Sequence, residues 1–210
     1  MRKTLPLLAS LALCSMPTIA AADFHWPANS TVPPHLQVVA MHDGIPDRDA
    51  GRFDVIVRDL ANNPVDGVWV TLDFGAIPEL QLAADPRDPE EAVNCAARTV
   101  RRLTSPAGVA SFTVLGCGSN RTAQPSLLVA KVWAADVLLG TTHVSLLDFD
   151  CVNGAGANDF GLWLGDFGTG LPYGRGDWDG SGALGANDLS VWLEAFGRGN
   201  SAESASPFCP

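Results

Sequence analysis

The feature that most constrains this chain is a pattern written twice in its last third. Residues 148–168 read DFDCVNGAGANDFGLWLGDFG, and residues 177–197 read DWDGSGALGANDLSVWLEAFG. The copies align without a gap at an offset of 29 residues (177 − 148), and 10 of 21 aligned positions are identical. Repetition of this kind sets architecture, because a unit too small to form a core must bury its apolar face against its neighbour.

Each copy opens with oxygen-bearing side chains at alternate positions and closes on an aspartate. A hard divalent cation such as calcium takes six to eight oxygens at about 2.3–2.6 Å, and a twelve-residue loop supplies them from positions 1, 3, 5, 7, 9 and 12 around a sharp turn at position 6. In the second copy Asp177, Asp179 and Ser181 take the first, third and fifth positions. Gly182 makes the turn, Ala183 offers its carbonyl, Gly185 leaves space for a bridging water, and Asp188 closes the loop. In the first copy Asp148, Asp150 and Asp159 keep the matching places and Gly154 offers its carbonyl. Val152 has no side-chain oxygen at the fifth position, and Asn153 replaces the turn glycine. Asparagine tolerates left-handed backbone, so the loop still forms with one ligand fewer. Two calcium ions are expected, the second loop holding its ion more tightly.

After each loop the apolar period becomes helical. Leu189, Trp192, Leu193 and Phe196 recur at i, i+3, i+4 and i+7, and Phe160, Trp163, Leu164 and Phe167 repeat them. Gly168 and Gly197 stand where C-cap glycines belong. The two stripes are expected to pack face to face.

Paired loop–helix units without an entering helix resemble the dockerin type I module, over residues 148–199. That resemblance implies that Asp148, Asp150, Asp159, Asp177, Asp179, Ser181 and Asp188 are calcium ligands. It also implies a cohesin-like or other scaffold or surface partner, contacted just before and within the helices, and a setting in polysaccharide breakdown. The matching contact positions are Ala157-Asn158 and Ala186-Asn187, where family members often carry Ser-Thr. Because both copies carry the same pair, they present the same face twice.

Upstream, residues 35–147 read as β structure. Short runs rich in Val, Leu and aromatics occupy 36–41, 53–60, 68–74, 99–104, 109–115, 127–133 and 137–146. Phe53, Val55 and Val57 alternate with Asp54, Ile56 and Arg58, the period of a half-buried strand. Asn62-Asn63-Pro64, Asp66-Gly67 and Ser105-Pro106-Ala107-Gly108 supply the turns between runs. Seven short strands without a helical period predict an antiparallel β-sandwich, with a small β-barrel as the alternative. The stretch 54–72 (DVIVRDLANNPVDGVWVTL), with 105–114 and 128–134, resembles the bacterial immunoglobulin-like domains of invasin and intimin. The fold class expected is therefore mainly β, an immunoglobulin-like β-sandwich followed by a small all-α dockerin-like module at 148–210. Segment 75–98 is longer and more acidic than that family allows, and reads as a mobile surface loop bearing Glu79, Asp85, Asp88, Glu90 and Glu91.

Arg2 and Lys3 before the apolar run 5–13, then Ala20-Ala21-Ala22, read as a secretory signal peptide over 1–22. Residues 23–34, rich in proline, read as an extended leader. Lipid attachment at Cys14 is disfavoured because Leu13 sits where a small residue belongs. The protein is expected to be secreted or at the cell surface, without a membrane span. Without Cys14, the four cysteines Cys95, Cys117, Cys151 and Cys209 imply two disulfides. Of three connectivities we expect Cys95–Cys117 and Cys151–Cys209, each within one expected domain.

Net charge is −10, and residues 148–210 carry seven Asp and two Glu against Arg175 and Arg198, a balance of −7. Such a surface repels nucleic acid and anionic membranes. The four histidines lack metal-ligand spacing and no catalytic motif is present, so no catalytic residue is assigned and an enzyme is not expected. A second reading is a carbohydrate-binding or adhesive sandwich with a calcium-stabilised C-terminal module. It needs an exposed aromatic platform, whereas Trp69 and Trp133 lie in strands and are expected to be buried.

Overall fold

A computed structural model of the chain describes residues 24–118, 128–169, 172, 174–200 and 207–210. The expected signal peptide lies outside the described residues. In chain order the elements are β1 (His35–Val38), β2 (Met41–His42), β3 (Ile45–Pro46), a short α1 (Arg48–Gly51), β4 (Arg52–Ile56), β5 (Trp69–Asp73) and β6 (Leu80–Leu82). There follow β7 (Ala92–Asn94), β8 (Thr99–Leu103), β9 (Val109–Thr113), β10 (Gly116–Gly118), β11 (Val129–Ala134), β12 (Val137–Leu146), α2 (Ala157–Phe167) and α3 (Ala186–Ala195). The protein is mainly β, and each of the seven expected runs contains a strand.

The principal sheet has six strands in the order β1–β12–β11–β5–β8–β7. Alternation drives it: on β5 Val70 and Leu72 are buried, and on β11 Ala130, Val132 and Ala134 are buried. A second layer is the antiparallel pair β4–β9, in which Phe53 lies opposite Phe112 and Val55 opposite Ala110. All four of those side chains join the inward residues of the large sheet in one hydrophobic cluster. The expected alternation of Phe53, Val55 and Val57 is present, all three being buried while Asp54 and Ile56 are half-exposed.

Four expectations need correction. The sheet is not wholly antiparallel, because β1 runs parallel to β12 with His35 opposite His143. Parallel neighbours need a long crossover, and here nearly the whole β body intervenes. The segment before β1 is not a bare extended leader. Thr31 exchanges backbone hydrogen bonds with Ile56 at 2.8 and 3.0 Å, and Trp26 N–H donates to the Arg58 carbonyl at 2.8 Å. Segment 75–98 holds strands β6 and β7 and buries Ile77 and Leu80, so apolar anchors fasten it to the body.

The fourth correction concerns the disulfides, which are Cys95–Cys209 and Cys117–Cys151. Backbone pairing is the reason. The chain at 207–209 lies antiparallel to 82–84, with Ala84 N–H on the Pro207 carbonyl and Cys209 N–H on the Leu82 carbonyl, both at 2.8 Å. Gly118 N–H donates to the Asp148 carbonyl at 2.7 Å, which sets Cys117 beside Cys151. Both bridges therefore join the 35–147 region to 148–210.

Candidate metal centre

Each repeat folds as a loop that feeds a helix. In the first, the carboxylates of Asp148, Asp150 and Asp159 converge with one oxygen of each within 4.8 Å of the others. In the second, Asp177, Asp179 and Asp188 do the same. Two oxygens on one calcium ion at ~2.3–2.6 Å stand at most roughly 4.6–5.2 Å apart, so separations of this size are compatible with a shared ion.

The backbone builds both loops alike. Gly180 and Gly182 have φ of +68° and +91°, and the aligned Cys151 and Asn153 have +60° and +61°. Asn153 thus adopts the left-handed turn expected of it, and Cys151 does so as well. At Gly180 a side chain is doubly excluded, since a Cβ there would also meet the His35 ring at 2.6 Å. Loop carboxylates order the turns by accepting backbone N–H groups: Cys151 on Asp148 at 2.7 Å, Val152 on Asp150 at 3.0 Å, Gly182 on Asp177 and Ser181 on Asp179, both at 2.9 Å.

The closing aspartates do two jobs. Asp188 accepts from Asp179 N–H at 3.0 Å and Gly185 N–H at 2.6 Å, tying loop start to helix start. Asp159 accepts from Phe149 N–H at 2.5 Å and Gly156 N–H at 2.7 Å in the same way. Their position in the first turn also suits the positive end of the helix dipole. Of the other expected ligands, Ser181 Oγ donates to the Ala183 carbonyl at 3.2 Å, and the Gly154 carbonyl accepts from Gly156 N–H at 2.9 Å. Val152 is half-buried at the place where Ser181 is exposed.

Crowding carboxylates away from water disfavours their charge. Burial, reinforced by Asp148 and Asp150, pushes Asp159 up to about 7. Burial, with Asp188 and Asp179 adding, pushes Asp177 up to about 6. Asp188 is raised by burial and by Asp179. Asp179 stays below the ordinary value, because hydrogen bonding to Ser181, Asp177 and Asn187 outweighs its burial. Asp177 Oδ1 is buried and accepts no hydrogen bond, an acceptor aimed into the loop with its lone pairs unused. Such a buried acceptor calls for a partner, an ion or an ordered water being among those that could serve.

The helices pack through only part of each stripe: Phe160 lies 5.3 Å from Trp192 across the pair, with Leu189 half-buried against the same core. Trp163 and Trp192 are buried, but Leu164, Phe167, Leu193 and Phe196 are 53, 49, 52 and 41 % exposed. Residues 159, 163 and 166 on α2, and 188, 192 and 195 on α3, point inward instead. Trp178, from the second position of its loop, fills the gap: its ring centroid lies 5.6 Å from Trp163 and 6.4 Å from Trp192. Trp178 Nε1–H donates to the Leu146 carbonyl at 2.6 Å, fixing the second loop to the end of β12. Phe149, at the aligned position of the first loop, lies 5.8 Å from Trp178. One helix end is as expected and the other is not. Gly168 caps α2 with an ordinary right-handed φ of −76°, and Gly197 lies inside a π-helical turn, Phe196–Asn200, that extends α3.

Sequence reasoning missed a buried ion pair. Asp166 on α2 receives Arg175 Nε at 2.6 Å and Nη2 at 3.2 Å, and the guanidinium lies 4.5 Å from the Phe149 ring centroid. The available signal was Arg175 itself, one of two basic residues in an acidic segment. It also missed a cluster on the 75–98 segment. Asp88 bridges Arg48 and Arg102 at 2.8 and 3.0 Å, while Glu91 accepts Thr113 N–H at 2.8 Å and is pushed up to about 7 by burial. Ala157, Asn158, Ala186 and Asn187 are exposed in the first turns of their helices. No known family's sequence model, no curated protein and no solved structure matches this chain.

Proposed function

We propose that this is an exported, non-catalytic protein whose C-terminal loop–helix pair binds two calcium ions and docks it to a cohesin-like or other scaffold or surface protein. The β body, read as an immunoglobulin-like unit, acts as spacer or adhesive element, in a setting of polysaccharide breakdown. The observation that carries this reading is the paired convergence of three carboxylates within 4.8 Å, one of whose oxygens, Asp177 Oδ1, is buried without a donor. Bound calcium supplies the positive charge that lets such carboxylates ionise side by side. The chain's own residues supply the frame: Asp159 and Asp188 couple each loop to its helix, and Trp178 couples both helices to the β body.

Support for docking comes from the outer faces of α2 and α3. Ala157-Asn158 and Ala186-Asn187 are exposed, and exposed Leu164 and Phe167 on α2 are matched 29 residues later by Leu193 on α3 and Phe196 in the turn that extends it. Repeated apolar exposure on one small region is a mark of an interaction surface.

Calorimetric titration of the chelator-treated full chain with calcium chloride tests the metal assignment. Two binding events are expected, Asp177→Ala removing the tighter and Asp148→Ala the weaker. Absence of heat, or a helical signal unchanged by chelator, refutes the ligand assignment. Equal losses in the two variants contradict the reading of Val152.

A further inference from the structure

Trp69 was expected inside the fold, yet its side chain is 39 % exposed and Leu103, its partner across β5–β8, is 44 % exposed. Trp133, by contrast, is half-buried. An exposed indole is a large apolar plane left in water, and it stands at the wall of an open groove of about 740 Å³. That volume lies within the ~300–1,000 Å³ typical of small-ligand sites. The indole is braced rather than loose: the Arg101 guanidinium sits 4.8 Å from the ring centroid, and Arg101 does not itself line the groove.

The other wall is polar and preorganised. Arg102 donates to Asp88 at 3.0 Å and, through its other terminal nitrogen, to the Glu90 carboxylate. Arg102 is held by these partners at 17 % side-chain exposure, while Glu90 remains 69 % exposed. The hydroxyl-bearing Ser105 and Ser111 also line the groove. Pro89 and Glu90 come from segment 75–98, which thus builds one wall of the groove.

We infer that this groove is a binding subsite for a neutral oligosaccharide. A pyranose ring has an apolar C–H face that matches an indole and a rim of hydroxyls that each donate and accept. Glu90 accepts a hydrogen bond from a hydroxyl, Arg102 and the serines donate to hydroxyl oxygens, and Trp69 carries the ring. Charge selects against the alternatives. The guanidinium is already paired with carboxylates, so an anionic ligand must displace Glu90 or Asp88. A cationic ligand meets Arg101 over the tryptophan ring and Arg102 in the lining of the groove. A neutral polyol displaces neither ion pair.

The test is isothermal titration of the calcium-saturated full chain with cellohexaose, xylohexaose and mannohexaose. At least one is expected to bind, with Trp69→Ala weakening it about tenfold or more, as loss of a stacking contact predicts. Trp69→Phe is expected to retain most of the affinity, and Glu90→Gln to lose several-fold. Binding by none of the three sugars, or equal affinity in wild type and Trp69→Ala, overturns the assignment. Should Trp69→Ala fail to fold by circular dichroism, Glu90→Ala carries the decision, because its exposed side chain supports no core. Unchanged affinity there overturns the proposal. Calcium titration of the same variants remains as in wild type, so failure here is separable from failure of the metal reading.

Discussion

Removing the cation should invert the ordinary pH dependence of stability over the range 5–8. In the unfolded chain Asp159 ionises near its ordinary 3.8, whereas in the folded loop burial beside Asp148 and Asp150 pushes it up to about 7. A carboxyl with a raised folded value stabilises the fold below its unfolded value, and that stability is lost as pH rises through the folded one. Integrated between pH 5 and pH 8, this single group costs the calcium-free fold roughly 2–3 kcal/mol. For a chain of this size that is a melting shift of roughly 5–10 °C. Glu91, also raised to about 7, Asp177, raised to about 6, and Asp188, also raised, act in the same direction, while burial of His35 lowers its value and works in the opposite one. None of these is altered by Asp159→Asn, so comparison with that variant isolates the first loop. The assay is thermal unfolding by circular dichroism in chelator at pH 5 and 8, for both proteins. Wild type should melt lower at pH 8, Asp159→Asn should flatten the slope by that group's roughly 2–3 kcal/mol while the shares of Glu91, Asp177 and Asp188 remain, and excess calcium should restore the wild-type midpoint at pH 8. Equal slopes in the two proteins refute the account of the loop.

Two further outcomes follow from the packing. Non-reducing peptide mapping should recover Cys95 linked to Cys209 and Cys117 linked to Cys151, and a Cys95–Cys117 peptide would contradict the backbone pairing at 82–84 and 118–148. Asp166→Ala removes the bidentate partner of a buried guanidinium and should cost about 3–5 kcal/mol in chemical unfolding. The double variant Asp166→Ala/Arg175→Met should recover much of that loss, and equal destabilisation of single and double variants refutes the pairing.

Much of the strand content was legible because a half-buried strand writes its two faces into alternate residues, as at Phe53, Val55 and Val57. The loops were legible because both copies repeat the same aspartate spacing. Sequence period placed Trp163 and Trp192 on the inward face but missed that the face is rotated away from Leu164, Phe167, Leu193 and Phe196. Leu164 and Leu193 belong to the apolar stripe and are exposed, whereas the charged Asp166 and the small Ala195 at the aligned position are buried. A helix rotates to fit what lies beneath it, and what lies beneath is Trp178, Arg175 and Phe149 from outside the helices. An aromatic at the second position of both loops was readable as part of the repeat, but its role in filling the gap between the helices was not.

The sequence by itself determined the local chemistry: where strands alternate, where left-handed turns fall, and which aspartates meet in each loop. These rest on neighbours a few residues apart, whose geometry the backbone transmits directly. The tertiary structure decided which cysteines pair, the parallel seating of β1 on β12, the buried Asp166–Arg175 pair and the exposure of Trp69. Each depends on segments 9 to 114 residues apart, or on which side of a sheet is left uncovered. Such long-range choices are settled by competition for burial across the whole chain, and no local pattern records the result.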